Sequence, residues 1–134
     1  MRDLTKFLDE AYYGNLEYPS GWINAVWWHD DNLTFSEQKE LFFLTLKKLL
    51  DDGKVVFFHP FPEAKVKIYT HYVDGKKYDE ELWDESSDNI IAYIKSIFPK
   101  GIKDENDEIL TNFWYGICPE IGWIDQEDGF IHAS

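Results

Sequence analysis

Lys54-Val55-Val56-Phe57-Phe58-His59-Pro60-Phe61-Pro62, and shortly after it Lys65-Val66-Lys67-Ile68-Tyr69-Thr70-His71-Tyr72-Val73-Asp74-Gly75, decide the fold class. The first run is short, β-branched and aromatic before its prolines break it, which reads as a buried strand. The second alternates Val66, Ile68, Thr70 and Tyr72 with Lys65, Lys67, Tyr69 and His71, and Asp74-Gly75 supplies a turn. The economical reading is a two-strand meander.

Helices surround this segment. Leu4, Phe7, Leu8, Ala11 and Tyr12 fall on one helical face, with Gly14 as the expected C-terminal stop. Pro19-Ser20-Gly21 breaks the chain before Trp22, Ile23, Val26, Trp27 and Trp28, a possible short helix starting near Ser20. Thr34 and Glu37 have the spacing of a capping box. They open a helix that places Phe42, Leu46, Leu49 and Leu50 together before Gly53 ends it. Ile90, Ile91, Ile94, Ile97 and Phe98 define another helix, with Ser87 as a candidate cap and Pro99 as its limit. Glu81, Leu82 and Trp83 belong either to that helix or to a turn before it. Lys100 to Glu108 reads as a solvated loop. Beyond it, Phe113 to Ile117, Ile121 to Ile124 and Phe130-Ile131 read as three short strands separated by Cys118-Pro119 and Glu127-Asp128-Gly129. The expected fold is α+β over residues 1–134 as a single domain, an antiparallel sheet of four to five strands packed against about three helices.

Composition limits the function classes. The 134 residues include six Trp, eight Tyr and ten Phe, enough apolar bulk to argue against disorder. No segment approaches the roughly 18 apolar residues of a membrane-spanning helix, and no apolar leader follows Met1, so the expected location is cytoplasmic. One cysteine, Cys118, allows no internal disulfide and no cysteine-built zinc site. Formal net charge is −13. Met1 to Val73 carries eight cations and eleven acids, whereas Asp74 to Ser134 carries five and fifteen. Such a field disfavours direct nucleic-acid binding and attracts basic proteins, although charge also keeps an aromatic-rich surface dissolved.

No stretch spells out a reaction. Twenty-six acids in 134 positions produce neighbours such as Asp30-Asp31 and Asp51-Asp52 by composition alone. His29-Asp30-Asp31 holds metal-ligand residue types without a further group at diagnostic spacing, and His59, His71 and His132 read as structural histidines. Asp104-Glu105-Asn106-Asp107-Glu108 lacks the glycine and terminal glutamate of a calcium loop, since Ile109 and Tyr115 occupy those positions. Cys118 reads as a small buried residue. The glycines are scattered singly, so no phosphate-cradling loop is present. No cofactor and no metal are expected.

The passage Phe113-Trp114-Tyr115-Gly116-Ile117-Cys118-Pro119-Glu120-Ile121-Gly122-Trp123-Ile124-Asp125, closed by Glu127-Asp128-Gly129, resembles the ending of a bacterial domain family in which Cys-Pro precedes an apolar-Trp-apolar strand and an Asp-Gly turn. Leu49 to Phe58 matches the helix-Gly-strand passage shared by other members. Small acidic proteins of this kind resemble the immunity proteins of contact-dependent inhibition and related toxin systems. That resemblance implies a non-enzymatic protein that occludes a cognate toxin domain, a basic nuclease being the expected partner. It carries over no catalytic residue. Charge pattern alone nominates the binding side chains: Asp79, Glu80, Glu81, Asp84, Glu85 and Asp88, with Trp83 as an aromatic anchor unless it packs into the core. Two alternatives are a small hydrolase-like enzyme pairing a carboxylate with a histidine such as His29 or His71, and an acidic adaptor or structural subunit.

Overall fold

The computed structural model describes residues 3–17, 23–127, 129 and 131–133. Helix α1 spans Thr5–Glu17, a 3-10 turn Ile23–Val26, and α2 Phe35–Asp51. Strands β1 (Val55–Phe57), β2 (Val66–Val73) and β3 (Lys76–Trp83) come next, then α3 (Ser87–Ile97) and α4 (Glu108–Asn112). A π-helical turn at Phe113–Ile117 leads into β4 (Ile121–Ile124) and β5 (Ile131–Ala133). The fold is α+β, as expected, and the described residues form five antiparallel strands in two sheets. One has the order β1-β4-β5 and the other is the β2-β3 hairpin. Among the described residues no helix is long and apolar enough to cross a membrane.

The core forms on α2. The capping box is realised: Thr34 Oγ1 accepts from the Glu37 amide, and the Glu37 carboxylate accepts from the Thr34 amide. This fixes the start of a helix whose Phe42, Leu46 and Leu49 are fully buried. Phe42 meets Trp27, Phe43 and Trp114 at ring-centroid distances of 5.7, 5.0 and 5.2 Å, within the range of favourable aromatic pairs. Phe98 and Phe113 extend the same cluster from α3 and the π-turn. Val55, Phe57, Ile121 and Trp123 close it from the β1–β4 pair. Buried polar groups are bonded where α2 begins: Trp27 Nε1 donates to Gln38 Oε1, and Gln38 Nε2 donates to the Leu33 carbonyl. At the far end, Tyr12 donates to Asp52 (2.7 Å). Its phenol is pushed up to about 12 by burial and by that carboxylate.

Several local expectations are corrected. Helix α1 runs through Gly14; a Cβ there would lie 2.5 Å from the Trp28 ring, so the glycine permits close packing and does not cap. Ser86, whose side chain accepts from the Asn89 amide, caps α3 in place of Ser87. Phe113 to Ile117 is helical where a strand was expected. The Cys118 amide reaches back to the Phe113 carbonyl at 2.9 Å, and a short apolar run has no period that separates buried helix from buried strand. The meander also fails, since β1 pairs with β4 through Val55↔Trp123 while β2 pairs with β3. Ser20, Trp22, Asp128 and Phe130 lie outside the described residues.

Gly14→Ala sets helix propensity against packing. Alanine favours the helix by about 1 kcal/mol over glycine, whereas overpacking costs about 1–3 kcal/mol. The Trp28 ring is the atom group that must move. A net loss of stability is expected in urea unfolding. Unchanged or increased stability would show that Trp28 yields freely.

Candidate functional site

Asp74-Gly75 turns the chain back on itself. Both residues have positive φ, 52° and 79°, the geometry of a two-residue type I′ loop, and the pairing begins at once with Val73↔Lys76. Eight positions pair in all, down to Val66↔Trp83. Glu81, Leu82 and Trp83 are therefore strand residues, in neither a helix nor a turn. Beyond its own pairing, the hairpin meets the β1 chain at the bridge Phe58↔Leu82 and through Glu81 beside His59, and the β4–β5 turn through Tyr69, whose hydroxyl donates to the Gly129 carbonyl.

In an antiparallel pair, directly opposed residues share a face. One face of the hairpin carries Lys67, Tyr69, His71 and Val73 opposite Leu82, Glu80, Tyr78 and Lys76. That face turns inward at His71, which is 4% exposed, between the Tyr69 and Tyr78 rings and 3.5 Å from the Glu80 carboxylate. The other face carries Val66, Ile68, Thr70 and Tyr72 opposite Trp83, Glu81, Asp79 and Lys77. Ile68 and Tyr72 are each 59% exposed and Val66 is 40% exposed. Alternation usually sends the apolar set to the core. Here Val66, Ile68 and Tyr72 face solvent, whereas on the other face His71 and Leu82 are buried and Lys67, Lys76 and Tyr78 remain exposed.

The exposed apolar column is flanked by carboxylates. Glu81 lies across from Ile68 and 3.5 Å from His59. Asp79 lies across from Thr70 and accepts its hydroxyl at 2.7 Å, which fixes the carboxylate beside the column. At the base, half-exposed Phe61 continues the apolar surface and stacks edge-on against Trp83. Trp83 itself is 7% exposed, packed against Tyr93 at 5.3 Å. It supports the surface from within and presents little of its own ring, so of the two readings of Trp83 the core-packed one matches its burial.

The remaining nominated acids divide between places. Glu80 belongs to the inward face. Asp84 donates its amide to the Lys65 carbonyl and closes the hairpin base. Glu85 accepts from the Asn89 side chain and the Ser86 amide, bonds that hold its carboxyl below the usual range. Asp88 shares Lys47 with Asp51, whose carboxyl is lowered by Lys47 and by Ser87. Asp79 and Glu81 thus flank the column, while Asp88 and Asp51 share Lys47 and Glu85 is bonded to the first turn of α3. Val66, Ile68, Tyr72 and Phe61 were not nominated. Their signal was the alternation itself, but sequence does not say which face meets the protein.

A solved structure shares this architecture. It is an uncharacterized protein conserved in bacteria, from Neisseria meningitidis, superposing with a TM-score of 0.64 at 18% identity over 95% of this chain and 86% of that one. The likeness establishes the fold. No protein-family model matches the chain, and no curated protein matches it.

Each of the four histidines lies beside a carboxylate: His29 beside Asp31 and Glu105, His59 beside Glu81, His71 beside Glu80 and His132 beside Asp125. His29 joins two segments distant in sequence, with Nδ1 bonded to Glu105 and Nε2 2.8 Å from Asp31 Oδ1. Among the described residues no group of three or more His, Cys, Asp or Glu side chains is placed to hold a metal. Three surface depressions, between β1 and α3 and along α2 and α3, have no histidine in their linings. Burial pushes the Cys118 thiol up to about 12, so it stays protonated and unreactive at neutral pH.

The His29 pair gives a pH prediction. Its pKa is raised above the ordinary 6.5, first by the hydrogen bond with Glu105 and then by that with Asp31. The protonated ring is favoured in the folded state, so its stabilisation is whole below about pH 6.5 and is lost as pH rises through the raised value. An NMR titration of His29 is expected to give a pKa above 6.5 that falls in Glu105→Gln. An unchanged titration in that variant would show that the pair does not persist in solution.

Proposed function

We propose that this chain is an immunity-type protein of the contact-dependent-inhibition kind, acting in the cytoplasm, which binds a cognate toxin domain and neutralises it by occlusion. The observation that carries this reading is the outward hairpin face, where Val66, Ile68 and Tyr72 stand in solvent beside Asp79 and Glu81. An apolar surface of this kind is costly to leave in water and marks interaction sites more often than it serves stability. Its acidic flank, in a chain of net charge −13, selects a basic partner and speeds encounter. A basic nuclease domain has the required charge. Occlusion demands no chemistry from this chain, only a surface held rigidly enough to cover the partner's own site.

The test is co-purification and protection. The chain is expected to pull down, and to protect cells from, the C-terminal toxin domain encoded immediately upstream of its gene. Binding without protection would favour the adaptor reading. Neither binding nor protection would end the immunity reading.

A further inference from the structure

We propose that the groove between the first turns of α2 and the last turn of α3 is an anion site for a phosphate-bearing small molecule. This surface lies at the opposite end of α3 from the hairpin base and has the opposite charge. A depression of about 340 Å³ is lined there by Lys39, Lys95 and Lys100 with no carboxylate among its lining residues. An adjoining depression of about 430 Å³ shares Lys39 and Lys95 and adds Lys47, with Glu40 as its one acid. In a chain with twice as many acids as cations, such convergence is not what dispersal of charge for solubility would produce.

The lysines are also held without carboxylate partners. Lys47, Lys48 and Lys77 form ion pairs with nearby aspartates. Among the described residues Lys39, Lys95 and Lys100 form none. Instead Lys39 Nζ sits 4.4 Å from the centroid of the Phe98 ring and Lys95 Nζ 5.4 Å from that of Phe43, interactions that place each ammonium while leaving its full charge. Lys95 also stands in the last turn of α3, where a cation complements the helix dipole. That accounts for one lysine and leaves Lys39 and Lys100 unexplained. Three ammonium groups around one depression repel one another, and a multivalent anion relieves the repulsion by charge-assisted hydrogen bonds. The shared lining of the two depressions suits an elongated anion, a diphosphate in preference to a single phosphate. Phe35 and Phe98 offer apolar wall for an organic portion.

The probe is inorganic pyrophosphate, titrated into the whole chain against sodium chloride of matched ionic strength. A saturable rise in melting temperature is expected, with affinity weakened by about tenfold or more in Lys39→Gln/Lys95→Gln. A control of equal charge change away from the groove, Lys6→Gln/Lys76→Gln, is expected to bind as the wild type does. Should the groove variant fold poorly, amide NMR on the unaltered chain replaces it, with saturable shifts expected over Lys95 to Ile102. A nucleoside diphosphate that binds more tightly than pyrophosphate identifies a ligand whose organic part uses the aromatic wall; equal affinity identifies a site that reads phosphate alone. No response beyond chloride, equal weakening in both double variants, or shifts confined to other segments would overturn the site.

Discussion

Phe42→Ala is expected to lower the free energy of unfolding by about 3–5 kcal/mol, the range for removing a fully buried aromatic ring. Phe42 has no exposed surface and touches the rings of Trp27, Phe43 and Trp114, so it joins α2 to the segment after α1 and to the π-turn. A domain of this size has about 5–15 kcal/mol of stability in all, and the loss should lower the melting temperature by roughly 10 °C or more. The surrounding rings belong to three chain segments, which limits how far they can collapse into the space. Urea unfolding measures the change directly. A loss under about 1.5 kcal/mol would mean that the cluster relaxes around the gap and is not the rigid centre of the fold.

The second large effect is on binding. Ile68→Lys combined with Tyr72→Lys places two cations on the face proposed to dock a basic partner and removes its two most exposed apolar groups. Truncating a single interface anchor costs about 2–4 kcal/mol, and like-charge contacts add to that, so affinity for the toxin domain should fall at least 1000-fold. Both positions are exposed, so stability should change by no more than about 1 kcal/mol. Asp79→Lys with Glu81→Lys acts differently. It leaves the apolar column in place and should slow association by about tenfold or more, with a weaker dependence on salt than the wild type shows. Association rates by stopped flow at two ionic strengths separate the two effects. Equal rates for the wild type and the charge-reversed variant would mean that these carboxylates do not guide docking.

Local signals in the sequence survive where one physical requirement fixes them. Thr34 and Glu37 had to cap a helix, and Asp74-Gly75 had to turn a hairpin, because few residue pairs satisfy those backbone geometries. Expectation failed where two structures satisfy the same pattern. Phe113 to Ile117 is equally apolar as strand or helix, and Gly14 ends a helix in one context and admits the Trp28 ring in another. The β3 segment was obscured by charge: Asp79, Glu80 and Glu81 in succession hide a period of two, and only the partner strand beyond the turn reveals it. The nominated acids are divided between two faces for a related reason. They were visible as a run, but strand geometry sends Glu80 to the opposite face from Asp79 and Glu81, and buries Trp83 under Phe61 and Tyr93. The apolar half of the candidate surface lies on the strand before the turn, outside any acidic run.

The lysines of the α2–α3 groove make the same point from the other direction. They are 56 residues apart in sequence at Lys39 and Lys95, and nothing in a net charge of −13 hints that they meet. Antiparallel pairing and helix packing assemble both charge patterns. Composition records only their sum.

The most direct measurement is protection of cells producing the toxin domain encoded upstream, comparing the wild-type chain with Ile68→Lys/Tyr72→Lys expressed at equal levels and shown to fold by far-UV circular dichroism and urea unfolding. The outward hairpin face, if it is the docking surface, predicts full protection by the wild type and none by the variant. Equal protection by both would contradict that assignment and place the contact elsewhere on the molecule.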